Sequence, residues 1–159
     1  MSYLEDGIVS LEEISLPTGE RFNQGPVAII ECIQEIPCNP CVDSCPQNAI
    51  VIEGSINNVP EVQFDLCNGC GICISNCPGL AIFLVDKTAP SVGLPYEFLP
   101  LPEKGEMVDL LDRGGEICGQ GTVTRIRNTR AQDRTPMVTI AMEKDLVMQA
   151  RFFRRRTDG

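Results

Sequence analysis

The sequence predicts an α+β protein, a compact cysteine-bearing half followed by a small β-rich module. Three observations predict it. First, the chain repeats itself: Cys70, Cys73, Cys77, Pro78, Ala81 and Ile82 each lie 32 positions after Cys38, Cys41, Cys45, Pro46, Ala49 and Ile50. Second, each copy runs into an apolar, β-prone stretch, "AIVIEG" and "AIFLVD". Third, the residues after the repeat alternate apolar and polar over short runs parted by glycine, the period of half-buried strands.

The elements follow in order. Residues 1–26 form an N-terminal arm, and "PVAIIEC" then reads as a strand. "AIVIEGSINNVPEVQFD" reads as a hairpin whose turn lies in Ser55–Asn58. Each Cys-Pro pair is expected to open a short helical turn, with proline at its first positions. Residues 27–86 make up this cysteine-bearing unit. Residues 87–106 carry Pro90, Pro95, Pro100 and Pro102 and read as an extended connector, since Pro95, Pro100 and Pro102 would each break a helix or a central strand. Its Tyr96, Phe98, Leu99 and Leu101 are apolar enough to pack on a neighbour. Over 107–153 "EMVDLLDRGGEICGQGTVTRIRN" reads as two strands joined at "RGG", "TPMVTIAM" as another strand, and "EKDLVMQARFF" as a closing helix or strand. Residues 154–159 read as a polar, frayed tail.

Charge divides the chain in the same place. Residues 1–103 hold 14 acidic against 2 basic side chains, and residues 104–159 hold 8 against 11, within a net charge of −9. Such a balance disfavours nucleic acid as a partner. The N-terminus lacks the basic start and apolar run of a secretion signal, and no stretch suits a membrane span, so a cytoplasmic, reducing setting is expected. The nine cysteines are then available as metal ligands rather than tied in disulfides. With no histidine for acid–base work, no G-x-G-x-x-G and no P-loop, no catalytic residue is assigned and no catalysis by this chain alone is expected.

The chemistry lies in Cys67-x2-Cys70-x2-Cys73-x3-Cys77-Pro78. Three thiolates at this spacing share a tight loop and can hold three corners of a cubane, with Gly69 and Gly71 permitting the backbone turns. Zinc is the alternative for paired C-x2-C motifs, but a tight triplet plus a fourth cysteine suits iron and sulfide better than two separate pairs.

On these residues the stretch 27–86 resembles a bacterial two-[4Fe–4S] ferredoxin. The resemblance implies two βαβ-like halves about a pseudo-two-fold axis, each Cys-Pro cysteine crossing to the other half's cluster. One cluster then takes Cys45, Cys67, Cys70 and Cys73, and the other takes Cys38, Cys41, Cys77 and one further ligand. Here the chain departs from the pattern, because Glu35 stands opposite Cys67. Three answers are open: Cys32 from the end of "PVAIIEC", Glu35 through oxygen, or a three-iron site. Cys32 is preferred, as the softer ligand on a loop with slack. Cys118, alone in "GGEICGQG", reads as a packed, non-ligating thiol.

The longer pattern, "IECIQEIPCNPCVDSCP" with "MVDLLDRGGEICGQGTV" and "RTPMVTIAM" beyond it, resembles the small ferredoxin-like subunits of dye-linked dehydrogenases acting on proline, hydroxyproline, opines or related amines. That resemblance implies an electron-transfer subunit carrying two [4Fe–4S] clusters, with FAD on flavoprotein dehydrogenase partner subunits in a hetero-oligomer. The alternative is a free-standing soluble ferredoxin or cluster-based redox sensor. Residues 87–159, with Arg125, Arg127, Arg130, Arg134 and Arg151 to Arg156, are expected to anchor the chain to a flavoprotein.

Overall fold

A computed structural model describes residues 3–156. The chain begins with two short helices, α1 (Tyr3–Asp6) and α2 (Gly19–Phe22), before strand β1 (Val27–Ile30). Thr18 caps α2 by accepting from the Arg21 N–H. There follow α3 (Pro40–Ser44), β2 (Ile50–Val51), β3 (Glu61–Val62), α4 (Ile72–Asn76) and β4 (Ile82–Asp86). β1 pairs antiparallel with β4 and β2 with β3, so the halves β1–α3–β2 and β3–α4–β4 are interleaved as expected. The hairpin turn falls at Ser55–Asn58, closed by Asn58 N–H donating to Ser55 C=O at 2.9 Å.

The helical turns differ from expectation. They precede the Cys-Pro pairs, α3 and α4 ending at Cys45 and Cys77. The residue before a proline is driven out of the helical region, which stops each helix there. After each pair comes one tight turn, Asn48 N–H to Cys45 C=O and Leu80 N–H to Cys77 C=O, both at 3.2 Å. Asn48 (φ 52°) and Leu80 (φ 54°) are left-handed at equivalent positions, so the repeat holds in the backbone as well as in the letters.

Five more strands follow: β5 (Ser91–Pro95), β6 (Met107–Leu111), β7 (Ile117–Arg127), β8 (Met137–Ala141) and β9 (Phe152–Arg155). With β1 and β4 they make one seven-stranded antiparallel sheet, in the order β1-β4-β5-β8-β7-β6-β9. The stretch 87–106, expected as an extended connector, therefore contains an interior strand. Pro95 is tolerated because β4 accompanies β5 only from Ser91 to Gly93, leaving one flank of Pro95 outside any ladder. At the far end Arg154 and Arg155, expected in a frayed tail, belong to β9 and pair with Asp109 and Glu106. Residues 157–159 of that tail lie outside the described residues.

One face of every strand of this seven-stranded sheet feeds a common core: Val27 and Ile29 on β1, Phe83 and Val85 on β4, then Val92, Leu94, Val108, Leu110, Val123, Val138, Ile140 and Phe153. The alternate residues Ala28, Ile30, Ile82 and Met137 face a second core that holds most of the cysteines. β1 is consequently buried on both sides. The open ends of the sheet meet at Glu31, just after β1, whose carboxylate takes Arg113 at 2.7 Å and Arg151 at 2.5 Å. No helix among the described residues is long and apolar enough to cross a membrane.

Candidate iron–sulfur site

The structure sorts eight cysteines into two groups of four. Cys45, Cys67, Cys70 and Cys73 line one hollow, walled by Ala28, Ala49, Ile50 and Val62. Cys32, Cys38, Cys41 and Cys77 line a second, walled by Ile30, Ile36, Pro60 and Ile82. Cys45 ends α3 and Cys77 ends α4, and each serves the hollow of the opposite loop. Glu35 is exposed and lines neither hollow, whereas Cys32 reaches the second. Cys118 lies elsewhere, half-buried on β7 against the common core.

Local backbone conformation makes the second loop possible. Gly69 (φ 73°) lies so close to Pro26 that a Cβ would stand 2.5 Å from its carbonyl oxygen, and Gly71 (φ 78°) would place one 2.9 Å from Met137 Sδ. Both glycines suit the task the sequence suggests, left-handed backbone in close approach. The first loop achieves its start differently, with Asn39 (φ −139°) before Pro40 at the head of α3.

Burial and mutual repulsion set the cost of ionising these thiols. Burial pushes the Cys73 thiol up to about 12, with Cys67, Cys70 and Cys45 adding repulsion. Burial likewise pushes Cys41 up to about 11, and raises Cys32. Such thiols ionise only when metal supplies positive charge, and binding then releases their protons. Backbone amides already point at sulfur: Ala49 N–H to Cys45 Sγ at 3.3 Å, Ala81 N–H to Cys77 Sγ at 3.4 Å and Ala28 N–H to Cys67 Sγ at 3.5 Å. All nine cysteines are free. Among the described residues no three candidate ligands converge on a single ion. Four thiols spaced round a hollow instead suit a polynuclear cluster, in which each iron takes one sulfur. The donor set, the apolar walls and the amide donors all fit such a group.

Three sets of charged residues around these hollows were not assigned from the letters. Buried Arg21 donates to the carbonyls of Phe64 (2.8 Å), Cys67 (2.8 Å), Pro26 (2.9 Å) and Gly25 (3.3 Å), tying the second loop to α2. Its signal was rarity, since only Arg21 and Lys87 are basic in residues 1–103. Arg127, expected in an anchoring patch, donates to Cys70 C=O at 2.5 Å. Glu31 with Arg113 and Arg151 braces the chain beside Cys32; burial opposes its charge, but the two guanidiniums hold its carboxyl below the ordinary range.

Comparison with known proteins bears on the same segment. Residues 31–82 match the family described as the 4Fe-4S dicluster domain. The ferredoxin-type protein NapF of Haemophilus influenzae is 45% identical over 56 residues, 34% of this chain and 32% of that one. The pyruvate synthase subunit PorD of Methanothermobacter marburgensis is 43% identical over 47 residues, 30% of this chain and 51% of that one. The NrfC homolog of Haemophilus influenzae is 33% identical over 92 residues, 56% of this chain and 40% of that one. The chain spans about a third of the length of the NapF relatives it matches. No solved structure matches it. Residues 31–82 thus match a ferredoxin-type 4Fe–4S dicluster domain, and the placement of the cysteines agrees with that match.

Proposed function

We propose that the chain is an electron-transfer subunit that holds two [4Fe–4S] clusters, one on Cys45, Cys67, Cys70 and Cys73 and one on Cys32, Cys38, Cys41 and Cys77. The observation that carries this reading is the four-and-four partition of the cysteines around two hollows. Bound clusters supply reversible one-electron exchange. The chain's own residues do the rest. Thiolates hold the group, amides of Ala28, Ala49 and Ala81 stabilise charge on sulfur, and Ile30, Ile50, Val62 and Ile82 keep water back. The packing of α3 on α4, each ending in a cysteine for the other hollow, keeps the two sites side by side.

The electrons pass between redox centres on other chains. In our reading those are flavins of a dehydrogenase acting on an amino acid or amine, with FAD on the partner subunits. Support comes from the absence of any histidine in the chain and from the likeness to PorD, itself named as a subunit of a larger enzyme. Anaerobic assay of the loaded chain is expected to give about eight iron and eight sulfide per chain. Cys32→Ser should remove about half of the iron, while Glu35→Ala and Cys118→Ser leave it whole. If Glu35→Ala alone removes iron, the carboxylate completes the site. Isolation at native abundance should bring stoichiometric flavoproteins with the chain; recovery of a fully loaded chain by itself would favour a free ferredoxin or sensor.

A further inference from the structure

The two ligand sets are near-copies in backbone but not in their surrounding charge. Arg21 is only 5% exposed. Every hydrogen bond it donates ends on a backbone carbonyl, Cys67 among them. Arg127 donates to Cys70 C=O. Among the described residues neither guanidinium forms a salt bridge, the five that exist belonging to Arg113, Arg151, Arg154, Arg155 and Arg156. A buried cation without a counter-charge, such as Arg21, is costly, and chains keep one where an anion completes it; Arg127 is half-buried. Both cations converge on the loop Cys67–Cys70, which lines the first hollow described above.

The placement of Arg127 depends on a strand irregularity. Along β7, Gly121 and Val123 face the common core, and unbroken alternation would send residues 125 and 127 the same way. The register shifts between Val123 and Arg125, after which Ile126 faces the core and Arg127 stands opposite Met137. Partners across a ladder project from the same face. Met137 and Arg127 accordingly both meet the Cys70–Gly71 turn, Met137 Sδ lying 2.9 Å and Arg127 Nη1 3.6 Å from where a Gly71 Cβ would be. The bulge turns an arginine of the distal strands onto a cysteine loop.

The other ligand set has no such arrangement. Beside Cys32 the two guanidiniums of Arg113 and Arg151 share one carboxylate, Glu31, which leaves a net charge of +1 there against +2 from Arg21 and Arg127 at the other set. The Cys41 carbonyl accepts from the neutral Ser44 hydroxyl. Asp43, Asp65 and Glu35 are exposed, so water screens them, and none lines either hollow.

We infer that Arg21 and Arg127 are the counter-cations of the group held by Cys45, Cys67, Cys70 and Cys73, and that they make it the higher-potential member of the pair. This rests on the two-cluster reading above. A cubane with four thiolates is dianionic when oxidised and trianionic when reduced. One-electron reduction adds a negative charge and breaks no bond. Two uncompensated cations against the ligand loop favour the reduced form and raise the potential. A single electron entering the chain comes to rest on this side.

The test is a dithionite titration of the full loaded chain followed by electron paramagnetic resonance, preceded by iron analysis. Two separate midpoints are expected. Arg127→Gln should lower the upper midpoint and leave the lower one in place, and Arg127→Lys, which keeps the charge, should restore most of the shift. In otherwise wild-type protein, Cys70→Ser should move or abolish the upper wave and Cys38→Ser the lower one, an assignment that does not depend on the arginine variants folding. About eight irons with an unmoved upper midpoint, equal shifts of both waves, or loss of the lower wave in Cys70→Ser would overturn the inference alone. About four irons per wild-type chain would overturn the two-cluster reading and this inference with it.

Discussion

The two cysteine loops show how a duplicated motif can keep its geometry while its setting diverges. Both loops present a Cys-x2-Cys pair leading into a five-residue helix, a cysteine at the helix end and a left-handed residue three positions on. The Cys67 loop is opened by two left-handed glycines pressed against Pro26 and Met137 and is held by two lone arginines. The Cys38 loop has Pro37 and Asn39 at those positions, and takes Cys32 from the end of β1 beside a buried ion triad. Ligand geometry is thus the invariant part, and it can be met by unlike backbones. What varies is the bracing, which in both cases comes from outside the motif.

The strongest way to break this comparison is to remove the bracing altogether. Truncation after Asp86 deletes β5 to β9, strips β4 of its neighbour and takes away Arg113, Arg127 and Arg151. The shortened chain is expected to lose protected amides in hydrogen exchange and to retain no iron after reconstitution. Full iron content in it would show that the cysteine unit stands alone.

A finer cut is Glu31→Gln. It leaves two buried guanidiniums with no carboxylate and should destabilise the protein by about 3–5 kcal/mol, read from the denaturant midpoint. The pH dependence carries a second signature. Because the folded-state carboxyl is held below its ordinary 4.5, its stabilisation is complete above that value and is lost as pH falls through the folded pKa. The Gln variant should lose part of the acid-side slope.

The smallest effect sharpens the contrast between the loops themselves. Gly71→Ala forces a Cβ into left-handed backbone and against Met137, and is expected to cost roughly 1–2 kcal/mol in a urea titration. Asn39→Ala at the equivalent position has ordinary φ and no side-chain cap to lose, so it should cost almost nothing. Equal losses would mean that the loops are braced alike.

What could be read from the letters was whatever is local or repeated. The offset of 32 located both loops and the Ser55–Asn58 turn, and the glycine-parted runs located β6, β7 and β8. β5 was hidden, because its prolines read as a connector and its partner is far along the chain, Ser91 standing opposite Ala141. The charges of Arg154 and Arg155 suggested a solvated tail, although Arg154 pairs with Asp109 on β6 and Arg155 with Glu106 just before it. Arg127 was visible as a basic residue, but the face it occupies depends on a one-residue register shift that no periodicity announces. Cys32 is preferred on chemistry, with Glu35 and a three-iron site left open; Cys32 lines the second hollow, whereas Glu35 is exposed and lines neither.

The link between Glu31 and Arg151 spans 120 residues of chain. A ribosome adding about 5–20 residues per second needs on the order of 10 s to cover that distance. All eight thiols of the two hollows are therefore made well before the last partner of Glu31, which stands next to Cys32. During that interval they are reactive, metal-seeking groups on an unfinished protein. The fold obliges the cell either to shield nascent thiols or to load them late, and it makes synthesis of the Arg151 segment, rather than of the cysteines, the event that completes the ion triad beside Cys32.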